Sequence, residues 1–181
     1  MSDIRDEIET LMQTAKEVTV AIDDTRKSLP FIASHPTIYH NGKFYILSSD
    51  LARQTYYYKL GCKTSVIITS EATIKNNLFS RKRLTMECNV KNINKNNEIR
   101  SKFDEKLGIF ASGLFDVDDF KLFEVTPVEG LYFRGFGRAF EFFSGCIETI
   151  HVKEPHKPKK GNTMAKILKT SLKAQQTKKI D

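Results

Sequence analysis

Hydrophobic and polar residues alternate over several short stretches of this chain, a spacing of two that is typical of β-strands with one buried face. The clearest stretch begins at Leu84, where alternate residues as far as Val90 are apolar. An Asn41-Gly42 pair favours a tight hairpin turn. Further strands are predicted at residues 18–22, 28–35, 43–47 and 63–69.

The stretch from Lys121 to Phe143 has the pattern of three short strands. Apolar residues alternate with polar ones before Pro127 and again after Gly130, and a Gly-Phe-Gly turn precedes the last run. Runs of β-forming residues cut by proline and glycine are typical of paired antiparallel strands. A polar segment that contains His151 and His156 follows directly.

Two longer stretches show the three-and-four spacing of amphipathic helices. Residues 2–15 form one of them, with Ser2 as a candidate N-cap. The other begins at 94–97 and is predicted to bury one stripe of side chains, Ile99, Phe103, Leu107, Phe110 and Leu114. A short helix is predicted to end at Gly61. About eight strands against two substantial helices indicate a mainly β, α+β fold, which we interpret as a small antiparallel barrel with helices outside it.

Composition is that of one globular domain. The chain has 181 residues, of which 40% are hydrophobic and 28% charged, so it can bury one full core but is short for two. Its three cysteines are widely spaced, which argues against a disulfide framework or a zinc ribbon. Since no apolar run approaches about 20 residues and the N-terminus is acidic, we expect a cytoplasmic protein without a transmembrane segment.

The net charge of +7 lies entirely in residues 151–181, which hold nine lysines and two acidic residues. Such a tail attracts phosphates, carboxylates or anionic surfaces, or it is simply a solvated terminus. In residues 162–181 four apolar side chains share one helical face among lysines: Met164, Ile167, Leu168 and Leu172. This pattern suits a membrane surface or a protein partner, with a frayed helix as the alternative. No nucleic-acid partner is expected.

Three cations, Arg81, Lys82 and Arg83, stand at the entrance of a predicted strand. Arginine forks match the paired oxygens of phosphate and carboxylate, so the cluster is a candidate anion clamp. A solvated strand entrance is the alternative. Strand alternation predicts Arg81 and Arg83 on one face and Lys82 on the other.

Asp116, Asp118 and Asp119 precede the next strand, but no loop of oxygen ligands is spelled out around them, so turn chemistry is the simpler interpretation. Asp119 is also placed to partner a histidine. No metal-binding spacing relates the four histidines, which are His35, His40, His151 and His156. Nucleophile-elbow, phosphate-loop and dinucleotide motifs are absent from the sequence. A barrel with a basic rim, many phenylalanines and a histidine-bearing tail suits a flat, anionic, aromatic ligand, and flavin mononucleotide (FMN) and haem both qualify.

Three segments resemble the HugZ/HutZ haem-utilisation family: SRKRLTMECNV at 80–90, DDFKLFEVTPVEGLYFRGFGRAFEFF at 118–143 and IHVKEPHKPKKGN at 150–162. That family consists of haem-degrading proteins on the split barrel of the pyridoxamine-phosphate-oxidase-like flavoproteins. The resemblance therefore implies a split antiparallel β-barrel with flanking helices over residues 1–150. It also implies a haem-ligand-bearing segment at 151–161, followed by the basic tail at 162–181.

The resemblance places the axial haem ligand at His156, its carboxylate partner at Asp119 and an arginine beside haem at Arg83, which would either hold a propionate or act by charge near the iron. Arg81 and Lys82 are expected to join Arg83 in binding the ligand. A homodimer is implied, with haem at the subunit interface as both cofactor and substrate. The implied activity is O₂-dependent haem degradation for iron acquisition, with an unknown electron donor. The alternatives are an FMN-dependent oxidoreductase and a non-enzymatic haem carrier or storage protein.

Overall fold

The computed structural model describes residues 4–24, 26–27, 29–71, 78–135, 138–143 and 146–150, the last of these ranges by its backbone. The predicted segments at 151–161 and 162–181, with His151 and His156, lie outside the described residues.

Within the described residues, nine strands form one sheet. They are β1 (Glu17–Ile22), β2 (Phe31–Pro36), β3 (Ile38–His40), β4 (Lys43–Ser49), β5 (Thr64–Thr69), β6 (Arg83–Ile93), β7 (Phe120–Gly135), β8 (Arg138–Phe143) and β9 (Cys146–Ile150). The helices are α1 (Ile4–Thr14), α2 (Arg53–Lys59), α3 (Asn97–Leu107) and α4 (Ile109–Gly113). Short 3₁₀ turns cover Leu78–Ser80 and Leu114–Asp116.

The sheet is antiparallel at each pairing and runs in the order β2-β1-β5-β6-β7-β4-β3. The far end of β7 pairs with β8, and β8 pairs with β9. In the part of the chain that the structure describes, no ladder joins β2 to β3, so the barrel is split rather than closed. The predicted mainly β, α+β split barrel with flanking helices is confirmed.

The stretch predicted as three strands contains one long strand, β7, followed by β8. Pro127 and Gly130 do not end β7, because the ladder to β6 absorbs the irregularity as a register shift at Glu87/Cys88. A β-bulge of this kind bends a strand without terminating it. β7 is therefore long enough to pair with β4 near its start, with β8 near its end and with β6 along most of its length.

Two hydrophobic cores lie on opposite faces of β4 and β7. The barrel core joins α1 to the inner faces of the strands, with Phe44, Tyr57, Phe123 and Tyr132 among its fully buried side chains. The second core packs α3 on β3, β4 and β7 through Ile38, Tyr45, Leu47, Ile99, Phe103, Phe115 and Leu122.

The predicted helical stripe is correct for Ile99 and Phe103 and wrong for Phe110. Asn96 caps α3, and its side chain accepts the N–H of Ile99 at 2.9 Å. Gly108 then ends the helix with φ +86°, so α4 takes a new direction and Phe110 is 82% exposed. None of the helices in the described ranges is long and apolar enough to cross a membrane.

Candidate functional site

Arg83 lies at the start of β6, directly opposite Phe133 on β7. Its guanidinium stacks on the Phe133 ring, 4.0 Å from the ring centroid. Both side chains are half-buried. A cation held flat against an aromatic ring keeps its edge N–H groups free for an anion and presents an apolar face beside them. This pair fits one edge of a flat anionic ligand.

Lys82 takes part in a different cluster, on the opposite face of the sheet. Its Nζ lies 2.9 Å from Glu7 Oε2 on α1, and the Tyr132 hydroxyl donates to the same oxygen at 2.9 Å. Arg134 Nη2 lies 2.5 Å from Glu7 Oε1. Because Tyr132 faces the core and Phe133 does not, Lys82 and Arg83 lie on opposite faces, as alternation predicts. The Glu7 partnership was missed, since 75 residues separate it from Lys82.

Arg81 contacts neither the Glu7 cluster nor Phe133. Its Nε donates to the carbonyl of Ser70, and its side chain lines a cleft of about 650 Å³ between α1, β1 and β5. The three cations therefore do not converge on one point in a single chain. That Arg81 and Lys82 bind the ligand together with Arg83 stays a prediction.

Asp119 immediately precedes β7 and is half-buried. The Ser49 hydroxyl at the end of β4 donates to Asp119 Oδ2 at 2.6 Å, and the Asp50 N–H donates to the Asp119 carbonyl at 2.7 Å. These bonds fix the carboxylate in one orientation. Its Oδ1 has no hydrogen-bond partner among the described residues, so the group is suited to hold an incoming N–H donor.

Asp116, three residues before Asp119, pairs with an arginine of α3. Asp116 forms a two-fold pair with Arg100, at 2.6 and 2.5 Å. The hydrogen bond from Arg100 lowers the pKa of Asp116 despite the opposing effect of desolvation. In the described ranges no group of three or more histidine, cysteine or acidic residues is arranged to hold a metal ion. Asp116 therefore ties the end of the 3₁₀ turn to α3, and the interpretation of this stretch as turn chemistry stays a prediction.

Asp119 and Arg83 lie toward opposite ends of β7. Arg83 is opposite Phe133, whereas Ser49, the partner of Asp119, is opposite Phe120. At about 3.3 Å per residue, the separation along the strand is of the order of 40 Å, less where the strand bends. One chain alone does not bring these two predicted site residues together.

The two described histidines are engaged elsewhere. His35 is 4% exposed and lies 3.1 Å from the Tyr58 hydroxyl, and burial lowers its pKa to about 4. His40 Nε2 lies 2.8 Å from Glu98 Oε1. Neither contacts Arg83 or Asp119.

A second polar cluster, centred on the Tyr57 hydroxyl, was not predicted from the sequence. Arg26 donates to this oxygen at 2.9 Å and Arg53 at 3.1 Å, and Arg53 also pairs with the buried Asp24. Desolvation alone would raise the pKa of Asp24, but hydrogen bonds from Tyr57, the Arg26 amide and Arg53 lower it. The four-residue spacing of Arg53 and Tyr57 on α2 was the available signal.

Comparisons with known proteins point to haem proteins on this fold. The heme oxygenase HutZ of Vibrio cholerae is 26% identical over 156 residues, which are 83% of this chain and 88% of HutZ. A solved structure of HutZ, named there as a heme storage protein, aligns with a TM-score of 0.60 and 24% identity over 70% of this chain and 91% of the other. No family model matches the chain.

Two further solved structures share the fold. Campylobacter jejuni ChuZ aligns with a TM-score of 0.76 and 18% identity, over 86% of this chain and 65% of ChuZ. A Listeria innocua protein named as a putative pyridoxamine 5'-phosphate oxidase aligns with a TM-score of 0.51 and 11% identity, over 69% of this chain and 94% of that one. At these identities the structural likeness establishes the split-barrel fold alone.

Proposed function

We propose that this chain, a homologue of the HugZ/HutZ-type haem-utilisation proteins with a pyridoxamine-phosphate-oxidase-like split barrel, binds haem and degrades it oxidatively, releasing iron. The observation that carries the proposal is the match to heme oxygenase HutZ over 83% of the chain. Haem supplies the iron at which O₂ reacts, and an external donor supplies the electrons. The protein binds and orients the porphyrin and controls its charge environment.

The stacked pair of Arg83 and Phe133 supports haem as the ligand. Haem is a flat apolar ring with two carboxylates, and this pair offers an apolar surface with a guanidinium at its edge. In this proposal Arg83 holds a propionate.

The exit of the chain from the barrel leaves His156, the proposed iron ligand, within reach of Arg83. Ile150, the last residue of β9, is opposite Ala139, and Ala139 is opposite Phe133. At about 4.8 Å per strand spacing, Ile150 lies roughly 10 Å from Phe133. Six more residues span at most about 21 Å, so His156 can reach the surface beside Arg83.

Asp119 is proposed to come from a second copy of the chain. It lies toward the end of β7 remote from the point where the tail leaves the barrel. A dimer in which each tail approaches the other copy's Asp119 would complete two equal sites. There the carboxylate, held by Ser49, accepts the imidazole N–H of His156, fixes its tautomer and strengthens it as a ligand.

Adding hemin to the purified protein tests the assignment. We expect a Soret band in the wild type that weakens or shifts in His156→Ala. His151→Ala is the matched control, because it removes a histidine from the same segment and should leave the spectrum unchanged. An unaltered spectrum in His156→Ala would remove His156 as the ligand.

Storage is the second candidate, favoured by the name given to the solved HutZ structure. Incubating the haem complex with ascorbate in air separates the two functions. An oxygenase loses the Soret band, forms a bile-pigment-like product and releases iron that a ferrous chelator captures, whereas a storage protein does none of these. A protein that is yellow as purified and has no affinity for hemin would instead identify an FMN enzyme.

A further inference from the structure

The outer face of β6, β7 and β8 carries a groove of about 450 Å³. Gly130 lies in its floor beside Met86, and Leu131 and Phe143 line it while remaining 43% and 39% exposed. Val128, which is 40% exposed, lies two residues before Gly130 in β7. This is an apolar sheet face without a covering element in the described part of the chain.

Three glutamates surround this apolar surface: Glu87, Glu129 and Glu141. Glu87 and Glu129 are directly opposite each other on β6 and β7. Two like charges in such a cross-strand position destabilise the sheet. Within the described residues none of the three forms an ion pair. A cationic, partly apolar occupant would cover the groove and relieve the repulsion.

We propose that residues 162–181 of this same chain occupy the groove. They contain five lysines and one aspartate, so their charge is opposite to that of the rim. Their apolar residues Met164, Ile167, Leu168 and Leu172 recur at helical spacing, as does the lysine series 166, 169 and 173. In a helix these apolar residues share one side, and Lys169 borders it. The apolar side would pack against Leu131 and Phe143, and the long side chain of Lys169 would extend along it to the glutamates at the rim.

The chain leaves the sheet close enough to the groove for residues 162–181 to reach it. Glu148 on β9 is opposite Glu141 on β8, and the strand ends two residues later at Ile150. One strand spacing and two residues correspond to roughly 8 Å between Ile150, where β9 ends, and the rim of the groove at Glu141. The eleven residues between Ile150 and Asn162 allow the segment to fold back onto its own copy or to reach a second one.

Zero-length cross-linking of the full-length protein tests the proposal. A carbodiimide joins a lysine amine to a carboxylate in direct contact, forming an amide with loss of water. We expect peptides that link Lys166, Lys169 or Lys173 to the three groove glutamates, with yields that fall at high salt. Glu105 on α3 is the control, because it is 62% exposed in its side chain but lies away from the groove.

Exchanging the charges of a groove glutamate and a tail lysine gives a second, independent test. Glu129→Lys and Lys169→Glu should each reduce the cross-links between tail and groove, and the double variant should restore them. Links within a monomer place the tail on its own copy, and links within a dimer place it on the other; both support the proposal. Cross-links no more frequent than those to Glu105, or no recovery in the double variant, would overturn it. Because the readout needs no haem, its failure leaves the proposed function untouched.

Discussion

At the scale of single residues, His35 links burial to acid stability. It is 4% exposed, and desolvation holds its pKa at about 4 against an ordinary value near 6.5. The unfolded chain therefore binds more protons than the folded one between these two values. The contribution of neutral His35 to the free energy of unfolding is fully present above pH 6.5 and is lost as the pH drops towards 4. The expected loss from this one group is roughly 3 kcal/mol at pH 4.

His35→Gln isolates that contribution, because glutamine keeps a hydrogen-bonding group near the Tyr58 hydroxyl but does not titrate. Urea unfolding at a series of pH values should show the wild type losing more stability than the variant between pH 6.5 and 4. Carboxylates that titrate below this window affect both proteins equally. Parallel curves for the two proteins would contradict the prediction.

Glu7 is the second residue with a definite expected effect. Its carboxylate binds Lys82, Tyr132 and Arg134 and so fastens α1 to the ends of β6 and β7. Glu7→Gln leaves two partly exposed cations without their counter-charge, and we expect a loss of about 1–2 kcal/mol in unfolding free energy. Glu105→Gln, which breaks an exposed pair with Lys102, should cost less than about 0.5 kcal/mol. Equal losses in the two variants would mean that Glu7 is an ordinary surface acid.

The sequence predicted on which face of the sheet these side chains lie, but not which residues they contact. Alternation along β6 placed Lys82 and Arg83 on opposite faces correctly, because a period of two is a property of the strand itself. It did not identify Glu7, Phe133 or Ser49 as partners, because each contact joins residues distant in sequence. Pairing of this kind depends on register, which the chain acquires only when the sheet forms.

At the scale of elements, Gly130 allows β7 to pass β6 closely. A Cβ at this position would lie 2.3 Å from the Thr85 carbonyl oxygen and 3.0 Å from Met86 Cγ. Because the first contact is backbone, the strands must separate, and Gly130→Ala should cost about 1–3 kcal/mol. Gly113→Ala is the matched control, since no atom lies within 4 Å of its Cβ and it should change stability by less than about 1 kcal/mol. Thermal unfolding compares the two, and similar melting temperatures would contradict the role assigned to Gly130.

The errors of prediction among the elements also have physical causes. Pro127 and Gly130 resemble strand breakers, but a register shift lets β7 continue through them. Phe110 fits the periodicity of α3, but Gly108 adopts φ +86° and ends that helix first. In the first case the register shift lies between the pairs Glu87–Glu129 and Cys88–Pro127, and in the second the positive φ of Gly108 ends the helix; neither feature can be read from hydrophobic periodicity.

For the whole molecule, the barrel follows from strand patterning together with the family resemblance, but the assembly of the site does not. Arg83 and the start of the tail lie at one end of β7, and Asp119 lies at the other. A motif match assigns roles to residues in chain order and carries no distance. The proposed site, with His156 and Asp119 in contact, therefore requires a second copy of the chain.

Mixed dimers test this assembly. His156→Ala and Asp119→Ala chains with different tags should each be impaired as homodimers, Asp119→Ala by about 10- to 100-fold in haem affinity or activity. If each site takes His156 from one copy and Asp119 from the other, a mixed dimer has one doubly altered site and one intact site. Dimers purified through both tags should then recover about half of the wild-type rate of ascorbate-driven Soret decay. Differently tagged His156→Ala dimers give the background rate. A mixed dimer whose rate is only the mean of the two homodimer rates would place both residues in the same copy.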